Sequence, residues 1–286
     1  MLRYADVPVV TAGEPTAPPV VLVHGSGGPA AAVWGDQMGL AERYRLLAVT
    51  RRGWPPGPPA PGGFDVDAYD LAAFLPRLGG AHLVGHSYGA VSVLCAAVRC
   101  PSLVRSLTLV EPAAFGLIPD HPHVAALLGR LLDLFRRARA GELSPGRFAA
   151  GFELALDPEA CWPQRLPDPP AAFTARDAAF ARAALREAPV WEADPELSAL
   201  RPIPVAVVTG GWHPAIEAVA EHLCREAGAH HDIVRGHGHF PQRAAEAAGF
   251  LDGYWRWADL TARRPPAAPI PVMDRQNSLA GQVHRL

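Results

Sequence analysis

Five residues constrain this chain more than any others: Gly85-His86-Ser87-Tyr88-Gly89. They fit the pattern G-x-S-x-G and lie between an apolar run at 81–84 and a helical run at 90–99. A chain that passes from strand to helix in so few residues must hold the central residue in a strained backbone conformation. The positions two before and two after it must then be small. The serine hydroxyl is left standing above the sheet, at the positive end of the following helix. In this context the motif predicts Ser87 as a nucleophile. A serine hydroxyl becomes one only beside a base that removes its proton.

The surrounding sequence supplies the sheet that such a turn requires. The Val-rich run at 19–23 is continuous and reads as a strand buried on both faces, and further strands read at 44–49, 81–84, 107–110, 205–209 and 231–234. Helical periodicity appears at 34–43, from Asp65 to the Gly79-Gly80 pair, at 90–99, at 214–227 and from 242 to about 258. Residues 51–63 are crowded with Pro and Gly and read as loop. Strand and helix alternate, which predicts an α/β fold: a mostly parallel sheet with helices on both faces. The alternation stops between 113 and 203. Helices are expected there at 124–137, 145–156 and 174–188, with no strand. The expected organisation is a core of residues 1–112 and 204–262, a helical insertion at 113–203, and a Pro-rich, loosely ordered tail at 263–286.

Composition removes several function classes. The net charge of -2 and the lack of any basic block give no footprint for nucleic acid. All 26 basic residues are Arg, so Schiff-base chemistry and a phosphate loop, which need a Lys amine, are excluded. The first ten residues have no long apolar stretch, and no run reaches the roughly 18 residues of a membrane span. A soluble cytoplasmic protein with a small-molecule substrate is expected. Cys95, Cys100, Cys161 and Cys224 form no CxxC pair and are expected to be buried thiols.

Two histidines, His237 and His239, follow the last predicted strand in Gly236-His237-Gly238-His239-Phe240-Pro241. A loop there can reach back over the carboxyl ends of the strands, where ligands bind in such sheets. An oxyanion formed on attack needs backbone N–H donors. The residue after the nucleophile, Tyr88, is one candidate. Ser26, in the glycine-rich stretch His24-Gly25-Ser26-Gly27-Gly28 after the first strong strand, is the other.

With HGSGG at 24–28, RRG at 51–53, GHSYG at 85–89 and GHGHFP at 236–241, the chain resembles α/β-hydrolase-fold proteins over about residues 19–260. The resemblance implies a Ser87 nucleophile, a His239 base and a helical cap formed by the insertion, and it implies no cofactor and no metal. It also implies an Asp after the strand at 205–209. Here that stretch reads Thr209-Gly210-Gly211-Trp212-His213-Pro214, with His213 at the acid position. A histidine cannot supply the negative charge that orients the base. Glu111, ending the strand after the nucleophile helix, is the best substitute, and it keeps the chain order Ser, acid, His. Glu217, in the first turn of a helix, and Asp232, inside a strand, are weaker choices. The expected activity is hydrolysis of a small, largely apolar carboxylic ester or lactone through an acyl-enzyme. Trp162 and Trp191 are available to line the pocket. A thioester or a carbon–carbon bond beside a ketone could use the same groups. Alternatively, a relative with an altered acid position could bind ligands, or act as an isomerase, without hydrolysing anything.

Overall fold

The computed structural model describes residues 3–4, 7–26 and 28–262. The chain opens with a small antiparallel ribbon of β1 (Arg3–Tyr4) and β2 (Val7–Pro8). Seven strands then build one sheet: β3 (Val10–Ala12), β4 (Pro19–Val23), β5 (Arg45–Val49), β6 (Ala81–His86), β7 (Val104–Val110), β8 (Val205–Thr209) and β9 (His230–Ile233). Their spatial order is β3-β5-β4-β6-β7-β8-β9. Every pairing is parallel except that of β3 with β5.

The apolar runs are continuous because both faces of the sheet are covered. Val21, Val23, Leu47, Leu83 and Leu107 point into one core with α2 (Phe64–Phe74), α3 (Tyr88–Arg99) and α7 (Pro214–Ala227). Val20, Leu22, Leu46, Val84 and Val208 point the other way, against α1 (Ala30–Val33) and α8 (Ala247–Ala262). Each fully buried Val or Leu of this kind stabilises the fold by about 1.5–3 kcal/mol relative to an exposed one. Between β7 and β8 the chain forms the helical cap, with α4 (Pro122–Arg139), α5 (Pro145–Leu156) and α6 (Ala175–Ala184). The cap has a small core of its own, in which Leu134, Phe148, Leu166 and Phe180 pack with Trp54 of the 51–63 loop.

Several expectations need correction. The helix expected at 34–43 is the short α1 followed by a 3-10 turn over Gly35–Glu42. Gly35 and Gly39 lower the helix propensity there, and the fully buried Trp34 fixes the junction. The helix expected at 174–188 ends at Ala184, and turns carry the chain to Pro189. The last helical stretch splits into a 3-10 turn, Pro241–Arg243, and α8. The short antiparallel β3 was not anticipated. The cysteines are not fully buried: Cys95, Cys100 and Cys224 are half-buried and Cys161 is exposed. Cys161 lies in the extended, Pro-rich stretch between α5 and α6, which buries little. The tail at 263–286 and Gly27 lie outside the described residues.

Candidate active site

The parallel strands all release the chain at one edge of the sheet, and the candidate residues collect there. The β6–β7 register sets His86 beside Val110, so Ser87 and Glu111 are the first residues beyond two adjacent strands. Among the described residues, these are also the only two non-glycines with positive φ, 54° at Ser87 and 49° at Glu111. Such conformations cost of order 1–3 kcal/mol and concentrate at functional sites. Hydrogen bonds hold both in place: Ser87 N–H donates to the Val110 carbonyl at 2.9 Å and Glu111 N–H to the Val208 carbonyl at 2.8 Å. The glycines of the motif have a steric reason. A Cβ on Gly85 would lie 2.3 Å from the Gly89 carbonyl oxygen, and one on Gly89 would lie 2.4 Å from that of His24.

Glu111 is completely buried and its carboxylate accepts three hydrogen bonds. Gly210 N–H donates to Oε1 at 2.6 Å, and Trp212 Nε1–H and His239 Nδ1 reach Oε2 at 2.9 and 3.0 Å. A carboxylate only accepts, so Nδ1 carries a proton, and in the neutral ring this leaves Nε2 as the acceptor. Ser87 and His239 line the same pocket. The His239 backbone is anchored as well, since His86 Nε2–H donates to its carbonyl at 2.7 Å. Burial holds His86 well below its ordinary pKa and hence neutral. The other expected base, His237, is exposed.

His213 has a different task. It is the N-cap of α7, where its Nδ1 accepts from Ala215 N–H at 3.1 Å. Burial lowers its pKa to about 4, against the opposing pull of Glu111. Glu217 accepts from Gly211 N–H at 3.2 Å and lies 3.6 Å from His231 Nε2. Asp232 pairs with His230 at 3.0 Å. Neither carboxylate is partnered with His239.

On the opposite side of the serine stands the HGSGG loop. His24 fastens it to the next loop: its Nδ1–H donates to the Gly25 carbonyl at 2.7 Å, and its Nε2 accepts from Arg51 N–H at 3.1 Å. Burial, reinforced by Arg51, lowers its pKa to about 3, so it stays neutral. Ser26 and Tyr88 both line the pocket. Tyr88 opens α3, whose first N–H groups have no carbonyl within the helix to meet.

The pocket wall is mainly carbon. Leu131 and Phe135 come from α4, Phe152 and Leu156 from α5, Val190 and Trp191 from the segment after α6. Phe135 meets Trp191 edge to face at 5.6 Å. Trp162, named beside Trp191 as a candidate, is not on the wall; its indole donates to Asp133 at 3.0 Å. Three contributors were missed in the sequence. Trp212 is the second neutral donor to Glu111. Arg51, from the RRG stretch, forms a buried ion pair with Asp67 at 2.9 Å and another with Glu187. Glu187 reaches the pocket from the cap, and no local pattern marks it. Among the described residues, no helix is long and apolar enough to cross a membrane.

A model of the alpha/beta hydrolase family matches residues 20–252. Over 104 residues the chain is 37% identical to a protein of Stutzerimonas stutzeri (strain A1501) named as a carbamate hydrolase, RutD, covering 34% of this chain and 39% of that one. Over 124 residues it is 28% identical to the mouse (Mus musculus) sn-1-specific diacylglycerol lipase ABHD11, covering 42% and 40%. The chain thus spans about two-fifths of the length of these relatives. Among solved structures it resembles a thermophilic esterase from Thermogutta terrifontis with a TM-score of 0.59 and 22% identity, over 88% of this chain and 93% of that one. That likeness bears on the fold alone, and the fold agrees with the family match: this chain belongs to the alpha/beta hydrolase family.

Proposed function

We propose that this protein is a serine hydrolase of small, largely apolar carboxylic esters or lactones, with Ser87 as nucleophile, His239 as base and Glu111 as acid. The observation that carries the reading is the fully buried Glu111 carboxylate bonded to His239 Nδ1, beside Ser87, in an apolar pocket. In this reading His239 Nε2 takes the Ser87 proton as Oγ attacks the carbonyl carbon, and Glu111 stabilises the imidazolium that forms. The Ser26 and Tyr88 N–H groups receive the oxyanion. His239 then protonates the leaving alcohol, and a water deprotonated by the same imidazole releases the acid.

The pocket wall favours a neutral acyl group. No arginine lies on it, and the chain has no lysine, so a substrate carboxylate would be buried there without a cation. Uncharged esters therefore fit better than anionic ketones awaiting carbon–carbon cleavage. The bond between Glu111 and His239 counts against a purely ligand-binding protein, because it gives His239 a carboxylate partner although His213 is not one.

Labelling with a fluorophosphonate, read by intact mass on wild type and Ser87→Ala, tests the reading without knowledge of the substrate. A single adduct that disappears in Ser87→Ala supports it. A folded wild-type protein that takes no adduct overturns it. A chain-length series of p-nitrophenyl esters then reads the acyl preference.

A further inference from the structure

Two consecutive residues of the segment behind α6 touch both of the residues assigned as oxyanion donors. Ser26 Oγ donates to Glu187 Oε2 at 2.7 Å, and the Tyr88 hydroxyl donates to the Ala188 carbonyl at 2.7 Å. Neither Glu187 nor Ala188 belongs to the strand ends that carry Ser87, Glu111 and His239.

The dipeptide is itself fixed from several sides. Ala188 N–H donates to the Gly62 carbonyl at 3.1 Å. Glu187 is 7% exposed, and its Oε1 accepts from Trp54 Nε1–H at 3.1 Å and pairs with the Arg51 guanidinium. Arg51 is held in turn by Asp67, which also accepts from Ser92 Oγ of α3 at 2.8 Å. The guanidinium lies 4.3 Å from the centre of the Tyr88 ring. Both Glu187 oxygens therefore have protein donors, although the residue reaches the pocket wall. Its carboxylate is committed to the protein rather than held open for a cationic ligand.

We propose that Glu187 and Ala188 form a clamp from the cap that sets the spacing of the two oxyanion donors, with Glu187 acting as a positioning residue through Ser26. The inference rests on the serine-hydrolase reading above. Ser26 sits in a turn outside helix and strand, so the bond from its Oγ to Glu187 restrains the backbone that carries its N–H. Donors serve an oxyanion only when aimed at the position the developing charge will occupy. A cap in place holds both donors, and a displaced cap releases them. The clamp therefore acts on acylation more than on binding.

The test uses Ser26→Ala, which removes the hydroxyl and keeps the N–H, together with Glu187→Gln and their double variant. Fluorophosphonate labelling rate, kcat and KM for p-nitrophenyl butyrate, and Tm are measured for each. Each single variant is expected to lower labelling rate and kcat by about ten- to a hundredfold, with KM changed by no more than about twofold. The double variant should be little worse than the more severe single one, because both break one contact. Should Glu187→Gln fail to fold, Ser26→Ala carries the test alone. Unchanged labelling in a folded Ser26→Ala protein overturns the clamp, as does a loss confined to Tm and KM. A wild type that takes no fluorophosphonate overturns the clamp and the serine-hydrolase reading together; a labelled wild type with indifferent variants overturns the clamp only.

Discussion

Two buried glutamates flank the candidate nucleophile, one in the sheet and one in the cap, and they are built alike. Glu111 accepts from a backbone N–H, an indole N–H and His239. Glu187 accepts from a serine hydroxyl, an indole N–H and an arginine. They differ in charge compensation. Arg51, a permanent cation shared with Asp67, lies against Glu187, so that carboxylate has a cationic partner whatever happens in the pocket. The other two donors to Glu111 are neutral, and its third partner is a histidine, which carries no permanent charge. A carboxylate left to a histidine can stabilise a transient cation, whereas one already balanced by arginine can only hold geometry.

The contrast yields a ranked set of tests. Glu111→Gln keeps the shape and removes the charge, and kcat for p-nitrophenyl butyrate should fall by about 10⁴, the order seen when such an acid is neutralised. Glu187→Gln should cost about ten- to a hundredfold at most. Equal losses would break the distinction between a chemical and a geometric carboxylate. Phe135→Ala opens the wall on the cap side. It should raise KM for the longer esters about tenfold, roughly 1.4 kcal/mol of lost contact, with kcat nearly constant. A matching fall in kcat would show that the cap wall also aligns the ester.

Smaller effects belong to His213. Replacing it with Ala removes the N-cap of α7 and should cost about 1 kcal/mol in urea unfolding, with kcat within about twofold of wild type. A large loss of kcat would place His213 in the chemistry after all. Its pKa, lowered by burial to about 4, also sets a pH dependence. The folded state keeps this imidazole neutral while the unfolded chain protonates it near 6.5, so the unfolded state binds more protons between those values. That contribution is complete above pH 6.5 and is lost as pH falls towards 4. His213→Asn retains a capping side chain, so unfolding at pH 7 and pH 4.5 should differ less than in wild type. An unchanged difference would assign the acid sensitivity to His24 and His86, which burial lowers in the same direction.

The sheet was legible because strands such as Pro19–Val23 bury both faces and read as unbroken apolar runs. β3 was not, since three partly exposed residues on an edge carry no usable period. That Ser87, His239 and Glu111 gather at one edge of the sheet was legible through strand-end motifs, chain order and the family resemblance. Trp212 was hidden because its value lies in one indole N–H aimed across to another strand end. Glu187 was hidden more deeply: 161 residues separate it from Ser26 and 133 from Trp54, and only the folded cap brings them together. Contacts written by one element leave a pattern in sequence; contacts between a cap and a loop leave none.

Ser87 and Glu111 close the two strands of a single strand–helix–strand unit, β6-α3-β7, whereas 128 residues separate Glu111 from His239. Ordering a short, local unit restricts less chain than joining distant segments. A chain emerging from the ribosome with its N-terminus first can thus form the Ser87 turn before it has made Val208, Gly210 and Trp212, which hold Glu111, or His239. In the proposed serine-hydrolase reading, competence is therefore conferred late, by the strand-to-helix crossing that carries His239.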